Sequence, residues 1–247
     1  MNEEQIAKTW SKHAPHYDEA YQKHKFYRQM IEKIVALANP NKDDVVLDMG
    51  TGTGALAMEF APKVKKVIAI DISEEMLKTA KEKLEKEGIT NVEFKVGSFA
   101  EPNISEKVDI IASNLAFEWI PDRDKRTAID KMHSLLNDSG KVVLGERMFV
   151  ADPQKQPERL TQAMQDMMSE FLGKPMSKAE MEQEIEKIKA KIDPKTAAKM
   201  EEEFRRDHDE IMGKAENLKR LFEKRGFIIE KVEEITPITG IICARKA

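Results

Sequence analysis

The chain has 247 residues, 40% of them hydrophobic, enough for one full α/β domain with an added element and a core of its own. Its formal net charge of −4 comes from interspersed rather than segregated acids and bases, so it lacks the basic face that neutralises phosphates, and DNA or RNA is not expected as a partner. The single cysteine, Cys243, permits no internal disulfide, no apolar run is long enough to span a bilayer, and MNEEQIAKTW lacks the charged-then-apolar pattern of a signal peptide, so a cytoplasmic protein is expected.

Glu3 to Asn39 reads as helical, broken near Pro15. Tyr17, Tyr21 and Tyr27 in this stretch either anchor amphipathic helices to the rest of the fold or face a ligand. His13 and His16 could share a helix face, but Pro15 between them argues for a kinked entry. With no histidines or cysteines at ligand spacing, no metal site is expected.

Val45 to Gly54, VVLDMGTGTG, is the most informative stretch: an apolar strand runs into a loop in which Gly50, Gly52 and Gly54 alternate with threonines. Without a Cβ, glycine takes positive φ and exposes its amide, so this turn predicts a cradle against which a nucleoside-bearing ligand can press. ALAMEFAPKV reads as the following helix. VIAI, Val67 to Ile70, is then a second strand ending in Asp71, about twenty residues past the loop, where a carboxylate is expected to accept hydrogen bonds from ribose hydroxyls. The spacing G-T-G-T-G after Asp48 is not the G-x-G-x-x-G that seats a pyrophosphate, so a dinucleotide is disfavoured.

VEFKVGSFAEP, Val92 to Pro102, reads as a third strand and a turn, and VDIIAS, Val108 to Ser113, as a buried fourth strand. Ligands of open α/β sheets lie beyond the carboxyl ends of the strands, so Asn114, Leu115, Ala116, Phe117, Glu118, Trp119 and Ile120 are expected to line a cleft, the two aromatics being equally compatible with a core. Arg123 to Leu136 reads as a helix stopping at NDSG, and KVVLG, Lys141 to Gly145, as a fifth strand. Between Ala151 and Arg225, Leu160, Met164, Met167, Met168, Phe171 and Leu172 recur at helical spacing, as do Met181, Ile185, Ile188 and Ile192. Two or three amphipathic helices are expected there, as a lid, a partner surface or ordinary core-facing elements. GFIIEKVEEI and ITGIICARK then read as two strands about a turn at Pro237, which has no N–H to give to a ladder.

Asp48 followed by Gly50, Gly52 and Gly54 resembles the first motif of class I S-adenosylmethionine-dependent methyltransferases, and the likeness runs from about Tyr17 to the C-terminus, closest between Val45 and Phe149. It implies a doubly wound, Rossmann-like α/β sheet of seven strands whose last strand inserts antiparallel. A helical cap over 1–40, a core over 41–150, an inserted helical lid over 151–225 and a C-terminal hairpin over 226–247 complete the expected organisation. In that family the glycine loop lies against the methionine part of the cofactor and the acid ending the second strand binds the ribose, which assigns these roles to Gly50, Gly52, Gly54 and Asp71. The segment around Ser98 resembles G-D-A-x-x-L-P, whose acid bonds the adenine. Serine is shorter and uncharged, which puts weight on Phe99 and backbone groups. SNLAFEWIPD, and WSKHAPHYDEAY with its Tyr17-Asp18 pair, resemble the quinone and malonyl carrier-protein methyltransferases. GKVVLGERMF followed by LKRLFEKRGF resembles small bacterial and archaeal methyltransferases of uncertain substrate.

The expected cofactor residues are Tyr17, Asp48, Gly50, Thr51, Gly52, Gly54, Asp71, Ile72, Met76, Ser98, Phe99 and Asn114, and the expected acceptor residues Leu115, Glu118, Trp119 and Arg147. S-adenosylmethionine would be the methyl donor, S-adenosylhomocysteine the product, and a small, partly apolar molecule the acceptor of a monomer or homodimer. His16, His24 and Glu118 are candidate bases, and no catalytic residue is assigned. Arg123, Lys125, Arg126 and Arg147 are expected at the cleft mouth, where they would fit an acidic carrier protein. A protein side chain as acceptor, or a non-catalytic cofactor-binding interaction protein, remain as alternatives.

Overall fold

The computed structural model describes residues 3–19, 24–150, 155–191 and 214–247. Helices α1 (Glu3–His13) and α2 (Lys25–Ala38) precede the sheet, with a 3-10 turn at Ala14–His16 where Pro15 ends α1. There follow β1 (Val45–Met49), α3 (Ala55–Phe60), β2 (Lys66–Asp71), α4 (Glu74–Lys86), β3 (Val92–Val96), β4 (Val108–Asn114), α5 (Asp122–Leu135) and β5 (Leu136–Arg147). The chain continues through α6 (Pro157–Phe171), α7 (Lys178–Lys191), α8 (Ala215–Glu223), β6 (Phe227–Thr236) and β7 (Thr239–Lys246).

The seven strands lie in the order β3-β2-β1-β4-β5-β7-β6. β1 to β5 are mutually parallel, and β7 enters antiparallel to both β5 and β6, as the β6–β7 hairpin about Pro237 requires. The order reverses beside β1, so the crevice beyond the carboxyl ends of β1 and β4 is the expected ligand position of such a sheet.

Alternation along the strands divides the core in two. Leu47, Met49, Ile68, Ile70, Ile111, Val142 and Leu144 pack with Ile129 and Met132 of α5 and Leu218 and Phe222 of α8. Val46, Val67, Ala69, Ile110, Ala112 and Val143 pack on the opposite face with Ile31, Ile34 and Val35 of α2 and Leu56 and Phe60 of α3. Cys243 is buried on that second face.

Three local expectations are corrected. The helix after the glycine loop ends at Phe60, because Pro62 tightens Ala61–Lys63 into a 3-10 turn. The NDSG segment does not separate helix from strand: β5 begins at Leu136, which pairs with Val108, and the register then slips so that Ile110 faces Lys141. Ser139 takes positive φ in the protruding segment, and Asn137 Nδ2 donates to Asp109 at 2.6 Å. Helix α4 has no counterpart among the expected elements, although it carries a regular N-cap in which Ser73 Oγ accepts from Met76 N at 3.2 Å.

In the insertion, α6 lies by the start of α2 and the β6–β7 turn: Glu170 accepts from Lys25 N, and Arg159 pairs with Glu234. Met176 and Met181 are buried while Met164 and Leu172 are exposed. The side chains of Met167, Phe171 and Ile188 lie outside the described residues, as do Tyr21, Ile192 and 192–213.

Candidate active site

Beyond the ends of β1, β2 and β4 is an open cleft with about 690 Å³ of empty space, part of it continuous with solvent. Tyr17, Gly50, Gly52, Asp71, Ile72, Met76, Ser98, Phe99, Asn114, Leu115 and Trp119 all line it. A second, narrow recess lies behind the glycine loop, its roughly 240 Å³ of empty space including open solvent, lined by Tyr17, Tyr27, Ile31, Asp48, Thr51, Leu56 and Asn114 together with Gly50 and Gly52. Gly54 lines neither cavity, and Glu118 and Arg147 stand behind the wall that Trp119 forms.

The three glycines serve different ends. All have positive φ, +72° at Gly50, +54° at Gly52 and +84° at Gly54. A Cβ on Gly50 would lie 2.5 Å from Ala116 Cβ, and one on Gly54 would lie 2.9 Å from Leu84, so both allow protein to approach protein. A Cβ on Gly52 would meet nothing within 4 Å: of the three, this one is bare towards open space.

The expectation that the loop offers its amides to a ligand is corrected. Gly50 N and Thr51 N both donate to Ile70 O at 2.9 Å, Gly52 N to Asp71 Oδ2 at 2.9 Å and Gly54 N to Thr51 O at 2.9 Å. These four donors are consumed within the fold, as tight packing of the loop on β2 demands, and what remains to a ligand is the bare surface at Gly52 and the surrounding side chains.

Asp71 accepts from Gly52 N on one oxygen and from Ser73 N on the other, both at 2.9 Å, so its carboxylate is oriented in the cleft with lone pairs to spare. Burial raises its pKa, against the pull of these N–H groups. Asp48 is fully buried, and its Oδ2 accepts from Thr51 Oγ1 at 2.6 Å while Oδ1 has no partner. Burial pushes its carboxyl up to about 7. Asn114, 8% exposed, makes no hydrogen bond of regular geometry through its side-chain oxygen or nitrogen, with the Tyr27 hydroxyl beside it. Tyr27 completes this polar recess, its hydroxyl pushed up to about 12 by burial. Ser98 Oγ accepts from Glu101 N at 3.1 Å and keeps its proton to donate. Phe99 stands edge-on to Phe117 at 5.5 Å.

Sequence reasoning placed a helical cap over 1–40 but did not single out the α1 residues that line the cleft. Glu3, Ile6 and Trp10 of α1 line it, and Trp10 meets Tyr17 edge-on at 5.9 Å and Trp119 at 5.1 Å. Helix α1 is tied to the N-cap of α4, since Ser11 Oγ lies 2.9 Å from Ser73 Oγ and donates to Glu75 at 2.5 Å. Asp18 accepts from Thr53 Oγ1 at 2.5 Å and pairs with Lys83 at 2.6 Å, so it pins the cap to the glycine loop. The period-3.6 placement of Ile6 and Trp10 was the available signal. No residue of 155–191 lines either cavity.

Phe117 is fully buried in the core, whereas Trp119 lines the cleft. Glu118 is corrected as a base: its carboxylate receives Arg147 Nε at 2.8 and 3.0 Å, Nη2 at 2.5 Å and Arg147 N at 3.2 Å. Lys125 is corrected as a cleft-mouth cation. Its side chain is buried, with Nζ donating to Ile120 O and lying 5.9 Å from the Phe117 ring centre. Among the described residues no group of three His, Cys, Asp or Glu could hold a metal ion, and no helix is long and apolar enough to cross a membrane.

Residues 40–226 match a family model described as a methyltransferase domain. A protein from Oceanobacillus iheyensis, named as an uncharacterized methyltransferase, is 34% identical over 151 residues, 58% of this chain and 67% of that one. The first such relatives are matched over 55% to 67% of their own length. Among solved structures, magnesium protoporphyrin IX methyltransferase from Synechocystis with bound S-adenosylmethionine superposes with a TM-score of 0.56 at 16% identity, covering 90% of this chain and 80% of that one. The [4+2]-cyclase SpnF superposes with a TM-score of 0.59 at 13% identity, covering 88% and 80%, so this fold also carries a protein named for a different reaction.

Proposed function

The chain belongs to the methyltransferase-domain family, and on that premise we propose that it transfers the methyl group of S-adenosylmethionine to a small, partly apolar acceptor. One observation carries this reading: two buried polar side chains of the site whose bonding is incomplete, Asp48 and Asn114, line the recess behind the only glycine of the loop that is bare towards open space. A recess in which an acid and a carboxamide each keep bonding capacity suits a ligand end carrying both ammonium and carboxylate, because incomplete bonding of a buried polar group costs about 1–3 kcal/mol that such a ligand recovers.

Asp71 would then receive the ribose hydroxyls, and Ile72, Met76, Ser98 and Phe99 would hold the adenine between apolar surface and one hydroxyl donor. When bound, the cofactor supplies an electrophilic sulfonium methyl. The chain's part is to hold an acceptor in line with it, and such orientation contributes about 7–11 kcal/mol. The Trp10, Tyr17 and Trp119 rings put apolar surface at that position, which favours a step in which positive charge disappears. Glu118, held by Arg147, is not the base of such a step.

Calorimetry with S-adenosylhomocysteine and with NADH tests the cofactor half: binding of the first and not the second is expected, and the reverse would remove the proposal. Incubating a size-fractionated cell extract with methyl-labelled S-adenosylmethionine tests the acceptor. Label in the small-molecule fraction is expected, and label confined to macromolecules would transfer the assignment to a carrier protein or a protein side chain.

A further inference from the structure

Residues 115–120 leave the sheet at the end of β4 through Leu115, whose φ of +55° turns the chain out of the strand, and Leu115 N is fixed to Gly145 O of β5 at 2.7 Å. The 3-10 turn that follows, Phe117–Trp119, takes no side-chain cap from its own N-cap residue, Ala116. Its first amides are met from β5 instead. Glu146, fully buried, accepts from Phe117 N on Oε1 and from Glu118 N on Oε2, both at 3.1 Å. The next residue reverses the exchange: Arg147 gives its backbone N–H and its guanidinium to the Glu118 carboxylate. At the far end of the turn Lys125 donates to the Ile120 carbonyl. Acceptors for the amides at the start of a helical turn and a donor to the carbonyl at its end both favour the turn.

Leu115, Ala116, Trp119 and Ile120 of this stretch line the cleft, and Trp119 is the aromatic among them. Trp119 stands between the Trp10 ring at 5.1 Å and the Arg147 guanidinium at 5.3 Å, and it lines the same cleft as Asp71 and Met76. Glu146 itself lines neither cavity and touches no solvent, so it cannot act on a ligand directly.

We infer that Glu146 is a positioning residue: by bonding the amides of Phe117 and Glu118, in exchange for the grip of Arg147 on Glu118, it fixes Trp119 as a rigid wall against which the acceptor is aligned. The assignment rests on the methyl-transfer reading for its use and on the geometry alone for its existence. Burial first and the neighbouring Glu118 charge second hold the Glu146 carboxyl well above the usual carboxylate range, against the pull of the two amides and Lys125. Such a group is costly to bury, and the two amides it satisfies account for its place.

The chain has two tryptophans, so Trp10→Phe leaves Trp119 as the sole indole reporter. In that background Glu146→Gln keeps the shape but sets an NH₂ against one of the two amides. The expected result is a red-shifted Trp119 emission, greater quenching by acrylamide, and S-adenosylhomocysteine binding weakened about tenfold, the usual consequence of one buried polar group left unpaired. A folded Glu146→Gln protein with unchanged emission, quenching and affinity overturns the inference. Should that variant fail to fold, Arg147→Lys and Glu118→Gln probe the more accessible half of the clasp, because lysine cannot reproduce the guanidinium fork. A red shift in both supports the assignment, and no shift in either refutes it. If the unsubstituted protein bound no S-adenosylhomocysteine, the methyl-transfer reading would fall while the emission comparison would still decide whether the clasp holds Trp119.

Discussion

The ends of β1 and β2 and the ends of β4 and β5 each carry a fully buried acid, and the two acids are used in opposite ways. At Asp48 the surrounding loop spends its amides on Ile70 and Asp71, leaving one carboxylate oxygen with no partner. At Glu146 the turn keeps its amides for the acid, and both oxygens are engaged. A buried acid whose bonding is complete is part of the scaffold, whereas one with an orphaned oxygen marks where the scaffold stops and a ligand begins.

The largest expected effect breaks this contrast at Asp48. Its carboxyl lies at about 7 against an ordinary value of 3.8, so the folded protein binds this proton more tightly than the unfolded chain does. The resulting stability is complete below the ordinary value and is lost as pH rises through about 7. Asp48→Asn cannot ionise, so above pH 7 the ligand-free variant is expected to gain up to about 4 kcal/mol over the parent, with no gain near pH 4. Thermal melts across pH check this. The same variant should bind S-adenosylmethionine more weakly, so a rise in both stability and affinity would show that the orphaned oxygen does not face a ligand.

Gly50→Ala is next. It imposes the left-handed backbone penalty and also drives a methyl into Ala116, for a loss of about 2–4 kcal/mol of stability in urea unfolding. Gly52→Ala separates the two roles of the loop: with no neighbour to meet, it should cost only about 1–2 kcal/mol of stability for its φ, yet reduce cofactor affinity more than Gly50→Ala does per unit of stability lost. Equal losses in calorimetry would show that the two glycines do the same work.

Asp71→Ala should weaken S-adenosylhomocysteine binding by about 1–3 kcal/mol, since the ribose hydroxyls would lose their acceptor. Unchanged affinity would displace the ribose from the end of β2. Smallest is Lys125→Met, a buried cation replaced by an apolar chain of similar length. It should leave affinity within about 1.5 kcal/mol of the parent, which separates Lys125 from any electrostatic recognition of an acidic partner.

Much of the sheet was readable from residues alone, because each strand is a short apolar run bounded by glycine, acid or proline, and these signals act within a few residues. The same holds for the glycine loop and Asp71, where backbone conformation demands the residue type. The slip at NDSG was not readable, since it depends on Asp109 of β4 holding Asn137 from across the ladder. Trp10 and Ile6 looked like an ordinary amphipathic face, and only the docking of Ser11 on Ser73 and Glu75 turns that face over the cleft.

The sequence by itself determined the strand sequence, the bare turn after β1, and the family to which the chain belongs, because these rest on local steric requirements and on a motif whose spacing is fixed along the chain. Tertiary structure decided the bonding of those residues: that the loop's amides are already spent, that Asp48 and Asn114 keep bonding capacity, that Glu118 is bound by Arg147, and that Glu146 meets the amides of Phe117 and Glu118. Hydrogen-bond partners separated by tens of residues are chosen by packing, and a side chain's function follows from which of its polar atoms that packing leaves unsatisfied.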